Sequence, residues 1–294
     1  MKVLITGAKG QLGYDMEKRL ALLGMDHKGI DIDDCDLTDE KQTLDTILTY
    51  RPGCIVHCAA YTAVDKAEKV PEQCYRVNVE ATRNVALACL RLSAKMIYIS
   101  TDYVFSGDGE EPIEVNAPKE PLGVYGKTKL QGELAVQELV RDFFIVRTSW
   151  VFGVNGHNFV TTMLRLGKEK ERITVVNDQI GSPTYAEDLA ALLCELLRTE
   201  KYGVYHATNE GFCSWFDFAQ SCMRLAGLQC EVFPVTTKAY GAKAKRPLNS
   251  RLSKRSLLEA GFSLLPAWQD ALERYMALLA EKTDRRQSSS CRDV

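Results

Sequence analysis

An apolar run, Lys2-Val3-Leu4-Ile5-Thr6, breaks at once into Gly7-Ala8-Lys9-Gly10-Gln11-Leu12-Gly13, and the residues from Leu12 to Leu23 then take up helical apolar spacing. A short strand, a glycine-rich turn and a helix in that order constrain the fold more than any other feature of the chain. Glycines at Gly7, Gly10 and Gly13 let the backbone turn sharply and let a ligand approach the helix end closely. Unpaired N–H groups and the positive end of the helix dipole suit a pyrophosphate there. Glycines also make ordinary turns. The position, first strand into first helix, favours dinucleotide binding.

The second strand of such a unit is expected to end in an acid that reads a ribose 2′-hydroxyl. Asp31 lies 18 residues beyond Gly13 and fits, although Asp33, Asp34 and Asp36 nearby leave the choice open. No arginine follows Asp31 directly, so a 2′-phosphate has no evident partner, which leans towards NADH over NADPH.

Strand patterns recur at His27–Asp31, Cys54–Cys58, Lys95–Ser100 and Phe143–Arg147. Helical patterns stand between them: 39–50, stopped before Pro52, then 71–92 with a possible kink, and 126–140. This alternation predicts an α/β fold, a Rossmann-type doubly wound parallel sheet. Beyond Trp150 the alternation turns irregular, with helices at 158–167, 186–198, 214–226, 253–259 and 267–280 and strands at 173–176 and 203–207. The expected organisation is a dinucleotide-binding domain over 1–150 with a return segment at about 184–208. A smaller C-terminal substrate domain takes 151–183 and 209–282, and 283–294 is expected to be a disordered tail.

Tyr125-Gly126-Lys127-Thr128-Lys129 opens a helix with Tyr and Lys one turn apart on the same face. A phenol is a poor acid–base catalyst at neutral pH, and a nearby ammonium would lower its pKa. The spacing also arises by chance, as a surface lysine beside a half-buried tyrosine. Thr101 stands 24 residues earlier, where Ile99-Ser100-Thr101-Asp102-Tyr103-Val104-Phe105 ends a strand. Ligands of open α/β sheets bind outside the carboxyl ends of strands, so a Thr101 hydroxyl there could bond a reacting carbonyl oxygen. It could also simply cap the turn.

The formal net charge of -2 gives no general attraction to nucleic acid or to an anionic membrane surface. The first residues do not form a signal peptide, no run is long and apolar enough to span a bilayer, and a cytoplasmic location is expected. Ten cysteines are scattered along the chain without paired metal-ligand spacing, which fits free thiols in a reducing compartment.

Taken together, these stretches resemble the dTDP-4-dehydrorhamnose reductase family, extended short-chain dehydrogenase/reductases. The resemblance runs through Gly7 to Gly13, Asp36-Leu37-Thr38-Asp39, Ala59-Ala60-Tyr61-Thr62-Ala63-Val64-Asp65-Lys66-Ala67-Glu68, Ser100 to Phe105, Tyr125 to Lys129, Arg147 to Val151, Asp178 to Thr184 and Arg246-Pro247-Leu248-Asn249-Ser250-Arg251-Leu252. It implies NAD(P)H-dependent reduction of the C4 keto group of a nucleotide-linked deoxysugar, dTDP-4-dehydro-L-rhamnose to dTDP-L-rhamnose. Gly10, Gln11 and Leu12 would meet the pyrophosphate, and Asp31, Asp36 and Leu37 the adenosine half. Ala60, Tyr61 and Thr62 would line the cofactor channel, and Thr101, Tyr125 and Lys129 would form the catalytic set. Thr101, Asp102 and Trp150 would contact the nucleotide-sugar substrate, with Arg246 and Arg251 on its diphosphate. Trp150 as plain core and the arginines as a solvated basic loop are the plainer alternatives.

Some family members dimerise around magnesium. Asp15 and Glu187 stand where its ligands would come from, but Asp15 is shorter than the Glu expected there. That leaves magnesium doubtful, no metal ligand assigned, and the choice of monomer or homodimer open. Other extended short-chain epimerases or reductases and a non-catalytic regulatory subunit of the same fold are the alternatives. A dehydratase would place an Asp-Glu pair after Thr101, whereas Asp102 is followed by Tyr103.

Overall fold

The structure is a computed structural model that describes residues 1–290, with only the backbone for 283–290. Its first half alternates strands and helices: β1 (Val3–Thr6), α1 (Gln11–Leu22), β2 (His27–Ile30), α2 (Glu40–Tyr50), β3 (Cys54–His57), α3 (Val64–Ala67), α4 (Pro71–Tyr75), α5 (Ala81–Leu92), β4 (Lys95–Thr101), α6 (Val124–Leu139) and β5 (Phe143–Thr148). The second half holds β6 (Val151–Phe152), α7 (Phe159–Glu169), β7 (Arg172–Val176), β8 (Ile180–Gly181), β9 (Thr184–Tyr185), α8 (Ala186–Leu196) and β10 (Gly203–His206). After these come β11 (Cys213–Ser214), α9 (Trp215–Ala226), β12 (Glu231–Val235), α10 (Thr237–Tyr240), β13 (Asn249–Ser250), α11 (Arg255–Glu259) and α12 (Trp268–Ser290).

Six strands form one parallel sheet in the order β10-β5-β4-β3-β1-β2. The winding direction reverses between β1 and β3, the switch point at which such sheets open a crevice. Both faces are covered, so the strands read as continuous apolar runs and not as alternations. Val3, Ile5, Cys54 and Val56 pack under α1 and α8, while Leu4, Ile55, Met96 and Tyr98 pack under α2, α5 and α6. Helix ends follow local chemistry. The Asp39 carboxylate accepts the Gln42 N–H to start α2, and Arg51 takes a left-handed φ of 52° to end it before Pro52.

Residues 71–92 do not form one helix. A π-helical turn, Arg76–Glu80, joins α4 to α5 and carries buried Asn78. Within 184–208, α8 packs on α1 and β10 pairs with β5. A separate core of Phe152, Val160, Met163, Phe218, Trp268 and Tyr275 gathers among α7, α9 and α12. The strand β12 has no counterpart in the sequence expectations. It pairs in parallel with β7, and Pro234 is tolerated because a two-stranded sheet has only edges. Residues 283–290, expected as tail, continue α12, and 291–294 lie outside the described residues. Among the described residues no helix is long and apolar enough to cross a membrane, and nine cysteines are free thiols.

Candidate active site

A cleft of about 880 Å³ opens along the carboxyl ends of β1, β3, β4 and β5. Its floor at β1 is the glycine turn. Gly7 sits at φ 68°, and a Cβ there would lie 2.7 Å from the Ala59 nitrogen. A Cβ on Gly13 would collide with the Gly7 carbonyl oxygen and with Ala8 Cα. Both positions therefore exclude side chains for reasons internal to the fold. Gly10 differs: its φ of -77° suits any residue, and a Cβ would meet only the Gly7 oxygen, at 3.1 Å. Its bareness matters on the cleft side. No side chain caps α1, so the first N–H groups of the helix face the cleft beside Gln11, Leu12 and Gly13. This cradle and the neighbouring cleft suit a dinucleotide's pyrophosphate.

Asp31, Asp36 and Leu37 line the far end of the same cleft. The Asp31 carboxylate accepts the Lys9 and Ile32 backbone N–H groups, both at 2.8 Å, which fixes its direction. Lys9 lines the cleft too, its ammonium paired with Asp33 and largely solvated. The cation near Asp31 thus comes not from an arginine directly after it but from the glycine turn. Ala60 and Thr62 line the middle of the cleft. Tyr61 does not: its N–H and C=O are held by the Asn78 side chain, and its hydroxyl is buried without a partner. Tyr61, expected in the cofactor channel, has its backbone tied to Asn78 between these two lining residues.

Thr101 ends β4 and Tyr125 and Lys129 open α6, so sheet and helix bring the three together. The Thr101 hydroxyl donates to Asp102 Oδ1 at 2.9 Å, accepts the Tyr103 N–H at 3.2 Å and lines the same cleft as Tyr125. It is thus both a turn cap and a site residue. Burial holds the Tyr125 phenol well above its ordinary pKa, eased by Thr101 and raised further by Asp102. Lys129 is buried, donates to the Ile99 carbonyl at 2.7 Å and stands 4.0 Å from the Tyr98 ring centre. Burial pushes its pKa down to about 7, while Glu133 one turn on pulls it up. The expected lowering of the Tyr125 pKa by Lys129 is therefore not met: burial dominates, and the ammonium is turned to Ile99. A phenol that keeps its proton at neutral pH is the form a proton donor needs.

Beyond this set the cleft is lined by Asp102, Trp150 and Trp215. Asp102 is buried and accepts from Ser250, and burial pushes its pKa up to about 6. Trp150 holds a left-handed φ of 51° and stacks on Trp215, ring centres 3.7 Å apart. Trp215 and Ser250 escaped the sequence argument. The Ser214–Asp217 capping box places Trp215 at the first turn of α9, but nothing local says that this end faces the cleft. Arg246 and Arg251, expected on the diphosphate, are not among the lining residues. Arg246 forks onto Asp65, at 3.2 and 2.6 Å, and Arg251 donates to Asn249 Oδ1.

Asp15 and Glu187 make no direct contact with one another, but their charges are coupled. Burial and the Glu187 charge push the Asp15 carboxyl up to about 6, while Glu187 is engaged by Tyr185 and Lys18. Among the described residues no group of three or more His, Cys, Asp and Glu side chains converges as a metal site.

A parallel sheet with a glycine-cradled helix end, and Thr, Tyr and Lys gathered at the same carboxyl edge, define an oxidoreductase of the extended short-chain dehydrogenase/reductase class. Residues 1–281 match the family model described as the RmlD substrate binding domain, and the chain belongs to that family. It is 39% identical over 292 residues to the dTDP-4-dehydrorhamnose reductase of Escherichia coli (strain K12), covering 94% of this chain and 97% of that protein. It is 40% identical over 276 residues to the spore coat polysaccharide biosynthesis protein SpsK of Bacillus subtilis (strain 168), covering 94% and 96%. The crystal structure of dTDP-4-dehydrorhamnose reductase from Bacillus anthracis in complex with NADP superposes with a TM-score of 0.92 at 45% identity, covering 94% of this chain and 98% of that one. A UDP-glucose 4-epimerase from Thermus thermophilus, at 20% identity and TM-score 0.82, shares the fold.

Proposed function

We propose that the protein reduces the C4 keto group of a nucleotide-linked deoxysugar, dTDP-4-dehydro-L-rhamnose to dTDP-L-rhamnose, with NADH or NADPH as reductant. The observation that carries this reading is the gathering of Thr101, Tyr125 and Lys129 in the cleft that also holds the glycine cradle. The names of the reductases it resembles support the substrate.

Bound in the cleft, the nicotinamide supplies a hydride to the keto carbon. The open N–H groups at Gln11, Leu12 and Gly13 would hold the pyrophosphate, and Asp31, Asp36 and Leu37 the adenosine end. Ala60 and Thr62 line the stretch between. Tyr125 would give its proton to the keto oxygen as negative charge grows there, and Thr101 would hydrogen-bond the same oxygen. Lys129, near neutrality in its buried setting, would bond the nicotinamide-side ribose. Asp102 and the Trp150–Trp215 face would receive the sugar. Asp31 favours a free 2′-hydroxyl, while Lys9 offers a cation to a 2′-phosphate, so both cofactors fit.

Steady-state oxidation of NADH and NADPH by the purified protein, with dTDP-4-dehydro-L-rhamnose as acceptor, tests the reading. Sustained stoichiometric oxidation is expected. An epimerase would show no net oxidation and a regulatory subunit no turnover, and either result would sink the proposal.

A further inference from the structure

The stretch Ala63-Val64-Asp65-Lys66-Ala67-Glu68, in and around α3, has no task in the chemistry above. Its two carboxylates nevertheless reach across the molecule. Glu68 Oε1 accepts the Val124 N–H at 2.8 Å, the first N–H of α6. Gly123, the residue before that helix, supplies no side-chain cap, and a Cβ on it would lie 2.6 Å from the same oxygen. The bare position therefore leaves room for a carboxylate brought from elsewhere. One residue on, Tyr125 carries the phenol. On the opposite side, a Cβ on Gly126 would collide with the Tyr103 carbonyl oxygen, so the first turn of α6 is pressed against the end of the 101–105 segment. The Tyr103 ring stands edge-on to Tyr125, with centres 5.4 Å apart.

The second carboxylate ties down the segment from the C-terminal half. Asp65 accepts the Ala244 N–H at 3.0 Å and takes the Arg246 fork. The charge on Arg246 is felt by Tyr103, and the Lys245 carbonyl comes 4.0 Å from the Gly123 position. The α3 segment thus holds the start of α6 with one carboxylate and the 244–246 loop with the other.

We infer that Glu68 is a positioning residue: it caps α6 in place of the missing local cap and so holds Tyr125, in the first turn of that helix, in the cleft it shares with Thr101. A carboxylate at a helix N-terminus is favoured by the open N–H groups and the dipole. Here the favourable contact acts on the turn that aims the proton donor, and reaction rates respond steeply to displacements of about 1 Å in such groups. The inference rests on Tyr125 being the acid.

The test compares wild type, Glu68→Ala, Glu68→Gln and Tyr125→Phe with NADPH and dTDP-4-dehydro-L-rhamnose. Glu68→Ala is expected to lower kcat about tenfold with KM for NADPH within about twofold, and Glu68→Gln, which keeps the acceptor oxygen, to recover all but about threefold. With 4-deuterated NADPH the isotope effect on kcat should rise in Glu68→Ala as the chemical step becomes limiting. Wild-type kcat in Glu68→Ala beside an inactive Tyr125→Phe would overturn the positioning role alone. Equal losses in Ala and Gln variants, tracking a fall in Tm, would overturn it too, by showing only general destabilisation. An active Tyr125→Phe would remove the acid assignment and this inference with it.

Discussion

The Arg147 guanidinium grips the Glu133 carboxylate with two hydrogen bonds, Nε to Oε1 at 2.8 Å and Nη2 to Oε2 at 2.7 Å, and neither side chain reaches solvent. Ser100 donates to the same carboxylate, and the Val115 carbonyl takes Arg147 Nη1. The cluster joins the end of β4, helix α6 and β5 directly behind the site. Removing one partner leaves a buried charge uncompensated. Arg147→Met is expected to cost about 3–5 kcal/mol, and the double variant Glu133→Leu/Arg147→Met considerably less. Urea unfolding of both checks this; equal losses would mean the pair is not the source.

Tyr125→Phe keeps the ring and removes the proton. kcat is expected to fall about 10²–10⁴-fold. NADH binding, followed by fluorescence titration, should be nearly unchanged, as should Tm. Turnover close to wild type in a folded variant would remove Tyr125 from the chemistry.

Asp102 sets a pH dependence of stability. Its folded pKa of about 6 lies above the ordinary 3.8, chiefly through burial. Between those values the folded state binds more protons than the unfolded one, so stability falls as pH rises from about 4 to about 6. The total change is on the order of 3 kcal/mol. Asp102→Asn should flatten that limb of a ΔG-against-pH curve. An unchanged limb would assign it to another group, such as Asp15.

The glycines of the turn should separate folding from binding. Gly13→Ala forces a Cβ into Gly7 and Ala8 and is expected to lower Tm and abolish cofactor binding together. Gly10→Ala meets only a 3.1 Å neighbour, so Tm should hold while NADH affinity weakens about tenfold. Equal falls in Tm would show that Gly10 too serves the fold.

Asp31→Ala is expected to weaken NADH more than NADPH, and Lys9→Ala the reverse. Dissociation constants for both cofactors on both variants decide it. Parallel losses would show that neither side chain reads the 2′ position.

Much of the fold was legible because its signals are local. The five strand patterns of the first half, the stop at Pro52 and the turn from Gly7 to Gly13 each depend on a few neighbouring residues. So does the Tyr125–Lys129 spacing, which one helical turn converts into a shared face. What the sequence by itself determined was therefore the α/β class, the glycine turn between β1 and α1, and the residues Thr101, Tyr125 and Lys129 that share the cleft. Only the tertiary structure decided where longer side chains point. It turned Lys129 to the Ile99 carbonyl, drew Arg246 onto Asp65 from a loop more than half the chain away, tied the Tyr61 backbone to Asn78 and stacked Trp215 on Trp150. Those outcomes depend on which charges and rings converge once distant segments pack, and on how burial shifts their ionisation. No local pattern encodes either.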